Sequence, residues 1–182
     1  MEHETGYELR PSAQAALDKF NRRPLVIAEV GVREGQNTIA MLKFMNIQRV
    51  YMVDGYKEYY TNEIDHSSVD EQWLWYRNMF FYMQPYLPQV TFVTHQSNPA
   101  HMLFPEEFFD YVYIDANHSE ESVYEDMCLW YPKVVDNGIL GGHDFDPKFP
   151  EVEIAVTRFC NEQNLNFSHI KEDWIITKGD KK

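Results

Sequence analysis

The stretch 109–145, FDYVYIDANHSEESVYEDMCLWYPKVVDNGILGGHDF, decides the fold of this chain. It opens on YVYID, an apolar run rich in β-branched and aromatic residues that reads as a strand. An acidic turn follows, and Ser119 is placed to cap a helix. Val123, Met127, Trp130, Tyr131 and Val134 then recur at helical spacing as one apolar stripe. Gly138 is expected to stop that helix, and ILGGHDF reads as a second strand ending in His143 and Asp144. Two parallel strands joined by a helix bring both carboxyl ends to one rim of a sheet. Asp115, Asn117, His118, His143 and Asp144 are therefore expected to face one crevice, where open α/β sheets bind ligands.

Upstream the same logic repeats. A short helix over about 12–23, with Ala15, Ala16 and Phe20 on one face, is expected to cover a sheet edge. LVIAEVGV (25–32) is a buried strand, Gly31 and Gly35 punctuate its end, and Asn37 or Thr38 can cap a helix with Ile39, Leu42, Met45 and Ile47 inward. RVYMVD (49–54) is the next strand, closed by Asp54. Residues 55–70 are polar, tyrosine-rich and without periodicity, a loop at the rim suited to a lid in which Tyr56, Tyr59 and Tyr60 would form a wall. A helix over 71–84 carries an aromatic stripe, read here as core. VTFVTHQS (90–97) is a third strand with Ser97 at its rim end. After the opening stretch, EVEIAVTRFCNEQN is a helix, and NFSHIKEDWIITK is a hairpin turning at Glu172 and Asp173.

Five strands with helical crossovers, then an antiparallel pair, define an α/β class. The expected architecture is a doubly wound, three-layer Rossmann-like fold, with a seven-stranded, mostly parallel sheet in a single domain spanning 1–182 and a core over 25–178. The chain has 182 residues, long enough for one core. Its 29 acidic against 16 basic residues, formal charge -13, argue against nucleic acid and anionic membrane as partners, so a small molecule is favoured. No apolar run reaches about 18 residues, and the start MEHETGYELRP lacks a secretory pattern, so a cytoplasmic location is expected. Cys128 and Cys160 fall in helices and read as buried thiols. Homo-oligomerisation is left open.

Glu29, Gly31 and Gly35 form E-x-G-x-x-x-G, which lacks the third glycine of the dinucleotide fingerprint. An acid beside the turn repels a pyrophosphate yet suits an ammonium, and Asp54 can accept from two ribose hydroxyls. A nucleoside carrying an amino acid, S-adenosylmethionine, matches those charges better than a dinucleotide. With these features in order, AEVGVREGQNT, VYMVD, FDYVYIDANHSEESVYEDM and GGHDF resemble the class I S-adenosylmethionine-dependent methyltransferases. The pattern is most similar to the small-molecule O-methyltransferases of the catechol and macrolide-sugar type.

The resemblance covers about residues 25–178. It implies that Glu29, Gly31 and Gly35 surround the methionine part of the cofactor and that Asp54 holds the ribose, with Ser97 near the adenine. Asn37 stands where the pattern usually has Ser or Thr beside the cofactor carboxylate. Asp115 is given a place at both cofactor and acceptor. In metal-dependent relatives the acid ending the fourth strand ligates a divalent ion, which implies a magnesium-type site from Asp115, Asp144 and His143, with Asp146 beyond. His143 departs from that pattern, which tends to have a carboxylate. His118 occupies the position of a catalytic lysine and, beside a helix N-terminus, is a candidate general base working with Asp115. Two rival functions stay open: a nicotinamide-dependent oxidoreductase, and a catalytically inactive cofactor-binding or interaction module.

Overall fold

The computed structural model describes residues 6–20, 23–57, 59–60 and 66–182. One sheet holds β1 (Leu25–Val30), β2 (Ile47–Val53), β3 (Val90–Val93), β4 (Phe109–Ile114), β5 (Val134–Gly142), β6 (Ser168–Ile170) and β7 (Asp173–Thr177). Their order across the sheet is β3-β2-β1-β4-β5-β7-β6. Pairing is parallel from β3 to β5 and antiparallel at β7 and β6, so the expected seven-stranded architecture is present. Winding reverses between β1 and β4, and the carboxyl ends of those neighbours open the crevice.

The helices are α1 (Pro11–Phe20), α2 (Gln36–Phe44), α3 (Val69–Met83), α4 (Ser97–His101), α5 (Glu120–Trp130) and α6 (Pro150–Gln163). Strand alternation sorts them into two layers. Tyr111 and Tyr113 point to the face packed by Ala13 and Ala16 of α1, Ile39 and Met41 of α2, and Met79 and Met83 of α3. Val112 and Ile114 point to the face packed by Val123, Met127 and Trp130 of α5 and by Val152, Val156 and Phe159 of α6. Fully burying each such side chain stabilises the fold by roughly 1.5–3 kcal/mol. A short ribbon pairs Tyr59–Tyr60 with His66–Ser67. Among the described residues no helix is long and apolar enough to cross a membrane.

Several local expectations are corrected. Helix α5 ends at Trp130, where Tyr131, Pro132 and Lys133 form one tight turn, and Gly138 lies inside β5 instead of stopping a helix. Pro132 has no N–H with which to continue the helical ladder. The aromatic stripe of α3 is not core: Trp73, Phe80, Phe81 and Tyr82 are exposed, while Gln72, Met79 and Met83 face inward. That helix starts earlier than expected, fastened by a capping box between Ser68 and Glu71. Neither Asn37 nor Thr38 caps α2; Gly35 does so in a left-handed conformation. Ile47 belongs to β2, and β3 stops at Val93, so Ser97 opens α4 instead of ending a strand. Helix α1 lies on the sheet face, where Ser12 crosses Gly141, and not at an edge. Asp173 is the first residue of β7, not a turn residue. Residues 21–22 of the expected first helix, and much of the tyrosine-rich loop, lie outside the described residues.

Candidate active site

The glycine turn after β1 is shaped by close approach. Gly31 has φ +84°, and a Cβ there would fall 1.9 Å from the carbonyl oxygen of Asp115, so only glycine lets the turn touch the end of β4. Backbone hydrogen bonds from Gly31 to Val53 and from Asp115 to Val30, at 2.9 and 2.7 Å, lock the ends of β1, β2 and β4 together. Asp54 accepts from the backbone N–H groups of Val32 and Arg33, both at 2.9 Å, and of Tyr56 at 2.8 Å. A carboxylate offers about four acceptor positions. Three are spent on the turn, so Asp54 first fixes the shape of the loop and has one position left for a ligand.

Glu29 is buried at 2% exposure. It accepts from the Asn37 side-chain amide at 3.0 Å and from the Thr38 hydroxyl. Burial pushes its pKa up to about 8; those two hydrogen bonds offset part of the shift, while the charge of Asp115 adds to it. The carbonyl oxygen of the Asn37 side chain is buried and has no partner among the described residues. A desolvated acid beside an unsatisfied acceptor fits an incoming ammonium group, the kind of acceptor pair that the amino-acid end of S-adenosylmethionine requires. The ring of Tyr56 is held nearby by its hydroxyl on the Arg33 carbonyl at 2.9 Å and by an edge contact with Tyr76. Burial, then the charges of Asp54 and Glu29, push the Tyr56 phenol above its ordinary range.

Across the crevice, the loop after β4 turns on Asn117, whose side chain accepts from the Ser119 N–H at 2.9 Å. Ser119 caps α5 as expected, its hydroxyl accepting from the N–H of Ser122. This presents His118 to the loop after β5. His118 Nε2 lies 2.9 Å from Asp144 Oδ2 and 4.0 Å from Asp115 Oδ1. The other oxygen of Asp144 is 3.1 Å from His143 Nδ1. Asp144 adopts φ +60°, an uncommon value for a non-glycine residue, which bends the loop so that both imidazoles reach one carboxylate. Burial opposes its charge, but hydrogen bonds from His118 and His143 prevail and hold the Asp144 carboxyl well below the usual range. For His143, burial lowers the pKa, yet the bond to Asp144 and the charges of Asp115 and Asp144 leave it raised.

Ligand atoms of Asp115, His118 and Asp144 all lie within 4.8 Å of one another, so two carboxylates and one imidazole could hold a divalent cation. The sequence put His143 in that set. The structure instead turns its far nitrogen toward Glu172, at 3.2 Å, and Arg10. Asp146 accepts from the N–H of Lys148 at 2.6 Å and shapes its own turn. Ser97 is drawn into packing: its hydroxyl accepts from Trp130 Nε1 at 2.7 Å and meets Asp126, whose pKa burial pushes up to about 7. The side chains of Tyr59 and Tyr60, expected in the lid, lie outside the described residues.

Two neighbours of the site were not anticipated. Phe149 lies tilted against the His118 ring, with centroids 4.4 Å apart; the prolines at 147 and 150 that frame its loop were the available signal. Arg10 reaches His143 from the segment before α1, and nothing local in sequence couples positions so far apart. A separate cavity of about 490 Å³ lies at the open edge by β3, lined by Tyr51, Phe92, Phe104 and Phe108, with His95 its one titratable side chain besides tyrosine. It holds none of the crevice residues.

This fold, with its acid-flanked glycine turn at the switch between β1 and β4, defines a class I methyltransferase. The family model for the methyltransferase domain matches residues 28–145, and the chain belongs to that family, whose cofactor is S-adenosylmethionine. A search of curated proteins finds no match. Among solved structures, the O-methyltransferase NovP is 18% identical, with a TM-score of 0.65 over 91% of this chain and 76% of its own. CalS11, a TDP-rhamnose 3′-O-methyltransferase of calicheamicin biosynthesis, is 15% identical, with a TM-score of 0.63 over 93% of this chain and 78% of its own. Cofactor-bound Rv0187 from MTB is 11% identical, with a TM-score of 0.68 over 97% and 84%. These likenesses concern the fold.

Proposed function

We propose that this methyltransferase acts on a hydroxyl oxygen of a small molecule, with His118 as the general base. The observation that carries the reading is the 2.9 Å contact between His118 and Asp144, opposite the buried Glu29. Glu29 and the Asn37 side-chain oxygen would receive the ammonium of the cofactor, and the remaining acceptor position of Asp54 would take a ribose hydroxyl. When bound, the cofactor supplies a sulfonium-activated methyl group. Asp144 orients the imidazole and stabilises the charge it gains on taking the hydroxyl proton. Phe149 covers one face of that ring and keeps water from it. Alignment of the hydroxyl then contributes most of the rate. The acidic surface disfavours a nucleic-acid acceptor, NovP and CalS11 are O-methyltransferases by name, and the two free cysteines suit a reducing cytoplasm.

A second reading adds a magnesium- or manganese-type cation, favoured by the mutual distance of the Asp115, His118 and Asp144 ligand atoms. Such an ion would lower the pKa of a bound hydroxyl. Calorimetry with S-adenosylhomocysteine, followed by turnover over phenols, catechols and sugars with and without magnesium, tests both readings. Binding of NAD without S-adenosylhomocysteine would overturn the proposal, and cofactor binding without turnover of any acceptor would favour an inactive module.

A further inference from the structure

The segment before α1 delivers Arg10 to the rim, where Nη1 meets His143 Nε2. A guanidinium carries donors only. His143 Nε2 must then accept, which leaves the proton of the neutral ring on Nδ1. That nitrogen stands 3.1 Å from Asp144 Oδ1 and donates to it. The second oxygen of Asp144 stands 2.9 Å from His118 Nε2. A carboxylate has no proton to give, so Asp144 asks for a hydrogen on Nε2 of His118 whatever tautomer His143 holds. Glu172 Oε2, 3.2 Å from the same nitrogen of His143, asks for the opposite tautomer. Its side chain is 58% exposed, and a solvated carboxylate competes weakly. Arg10 is half-buried, and the negative charges of Asp115, Asp173 and Asp144 favour its own charge there.

We propose that Arg10 is a positioning residue which holds His143 in its Nδ1–H tautomer, so that His143 donates to Asp144 and fixes the carboxylate that orients His118. The inference rests on the reading of His118 as the base, but its test needs no substrate. Long-range proton–nitrogen correlation spectra of the imidazoles, recorded on nitrogen-15-labelled protein at about pH 8.5, above the ordinary histidine range, report each tautomer. His118→Asn and His143→Asn supply the assignments.

The wild type is expected to carry Nδ1–H on His143 and Nε2–H on His118. Arg10→Met is expected to lower the ratio of the Nδ1–H to the Nε2–H tautomer of His143 about tenfold, the effect of losing one hydrogen bond to a charged group. Arg10→Lys, also donor-only, restores part of it, and Glu172→Gln changes nothing. An Nε2–H form of His143 in the wild type overturns the proposal, as does a shift caused by Glu172→Gln but not by Arg10→Met. The wild-type and Glu172→Gln spectra decide the matter even if Arg10→Met does not fold. Calorimetry with S-adenosylhomocysteine separates the two levels. If the wild type binds it while the tautomers ignore Arg10, the inference alone falls; if the wild type does not bind it, the functional reading falls as well.

Discussion

Burial strips Glu29 of water at the end of β1, and the amide of Asn37 and hydroxyl of Thr38 offset only part of that loss, so the carboxyl keeps its proton to about 8. A ligand ammonium reverses the balance by supplying the missing counter-charge. Binding of S-adenosylhomocysteine near neutral pH should therefore release close to one proton, and affinity should rise with pH until about 8 and then level off. Calorimetry in buffers of different ionisation enthalpy measures the proton, and Glu29→Gln should abolish its release. The same group shapes stability. The unfolded chain loses this proton near the ordinary carboxylate value while the folded chain retains it, so stability falls as pH rises from 4.5 to about 8 and flattens above. Glu29→Gln should remove that slope, up to about 5 kcal/mol by denaturant titration. Gly31→Ala should destabilise by at least about 3 kcal/mol, because its Cβ would meet the Asp115 carbonyl at 1.9 Å and its φ of +84° disfavours any side chain.

At the level of elements, α3 separates what a pattern can say from what packing decides. Trp73, Phe80, Phe81 and Tyr82 are exposed, Tyr76 is half-buried against the core, and two methionines, Met79 and Met83, anchor the helix over β2 and β3. Met79→Ala should cost about 2–5 kcal/mol and Phe81→Ser within about 0.5 kcal/mol, as equilibrium unfolding would register. The opposite ranking would restore the aromatic core expected from the sequence. The succession and sense of the strands, the glycine turn, the cap at Ser119 and the convergence of Asp115, His118 and Asp144 were legible, because strand ends and helix caps are local and β-α-β handedness is nearly invariant. The C-terminal antiparallel pair was legible for the same reason: its short turn permits little else. What escaped notice depends on contacts distant in sequence. Gly138 could be a helix stop or a strand residue until Val134 to Gly142 pairs with both β4 and β7. Asn37 and Thr38 looked like caps because the signal for a cap is local, whereas their partner, Glu29, is in another element.

For the whole molecule, the sheet divides at the crevice into a half that would hold the donor (β1 to β3 with α2 and α3) and a half that would meet the acceptor (β4 to β7 with α5 and α6). They are joined by the β1–β4 pairing and by α1, which packs on the second half while belonging to the chain before the first. Asp173 at the start of β7 ties that helix down, accepting from the Ser12 N–H at 2.9 Å and the Tyr113 hydroxyl at 3.1 Å. A shared sheet with no separate core on either side should melt in one step. Tryptophans allow a direct check: Trp73 and Trp75 lie on α3, whereas Trp130 and Trp174 are buried in the second half. With Trp73 and Trp75 both replaced by Phe, fluorescence follows only the acceptor half, and its unfolding curve should coincide with the far-ultraviolet circular dichroism of the whole chain. S-adenosylhomocysteine at a hundredfold excess over its dissociation constant should then shift both curves together by about 2.7 kcal/mol, although Glu29 and Asp54 lie in the other half. A shift confined to circular dichroism would mean that the halves unfold separately and that the β1–β4 seam does not couple donor binding to the rim carrying His118 and Asp144.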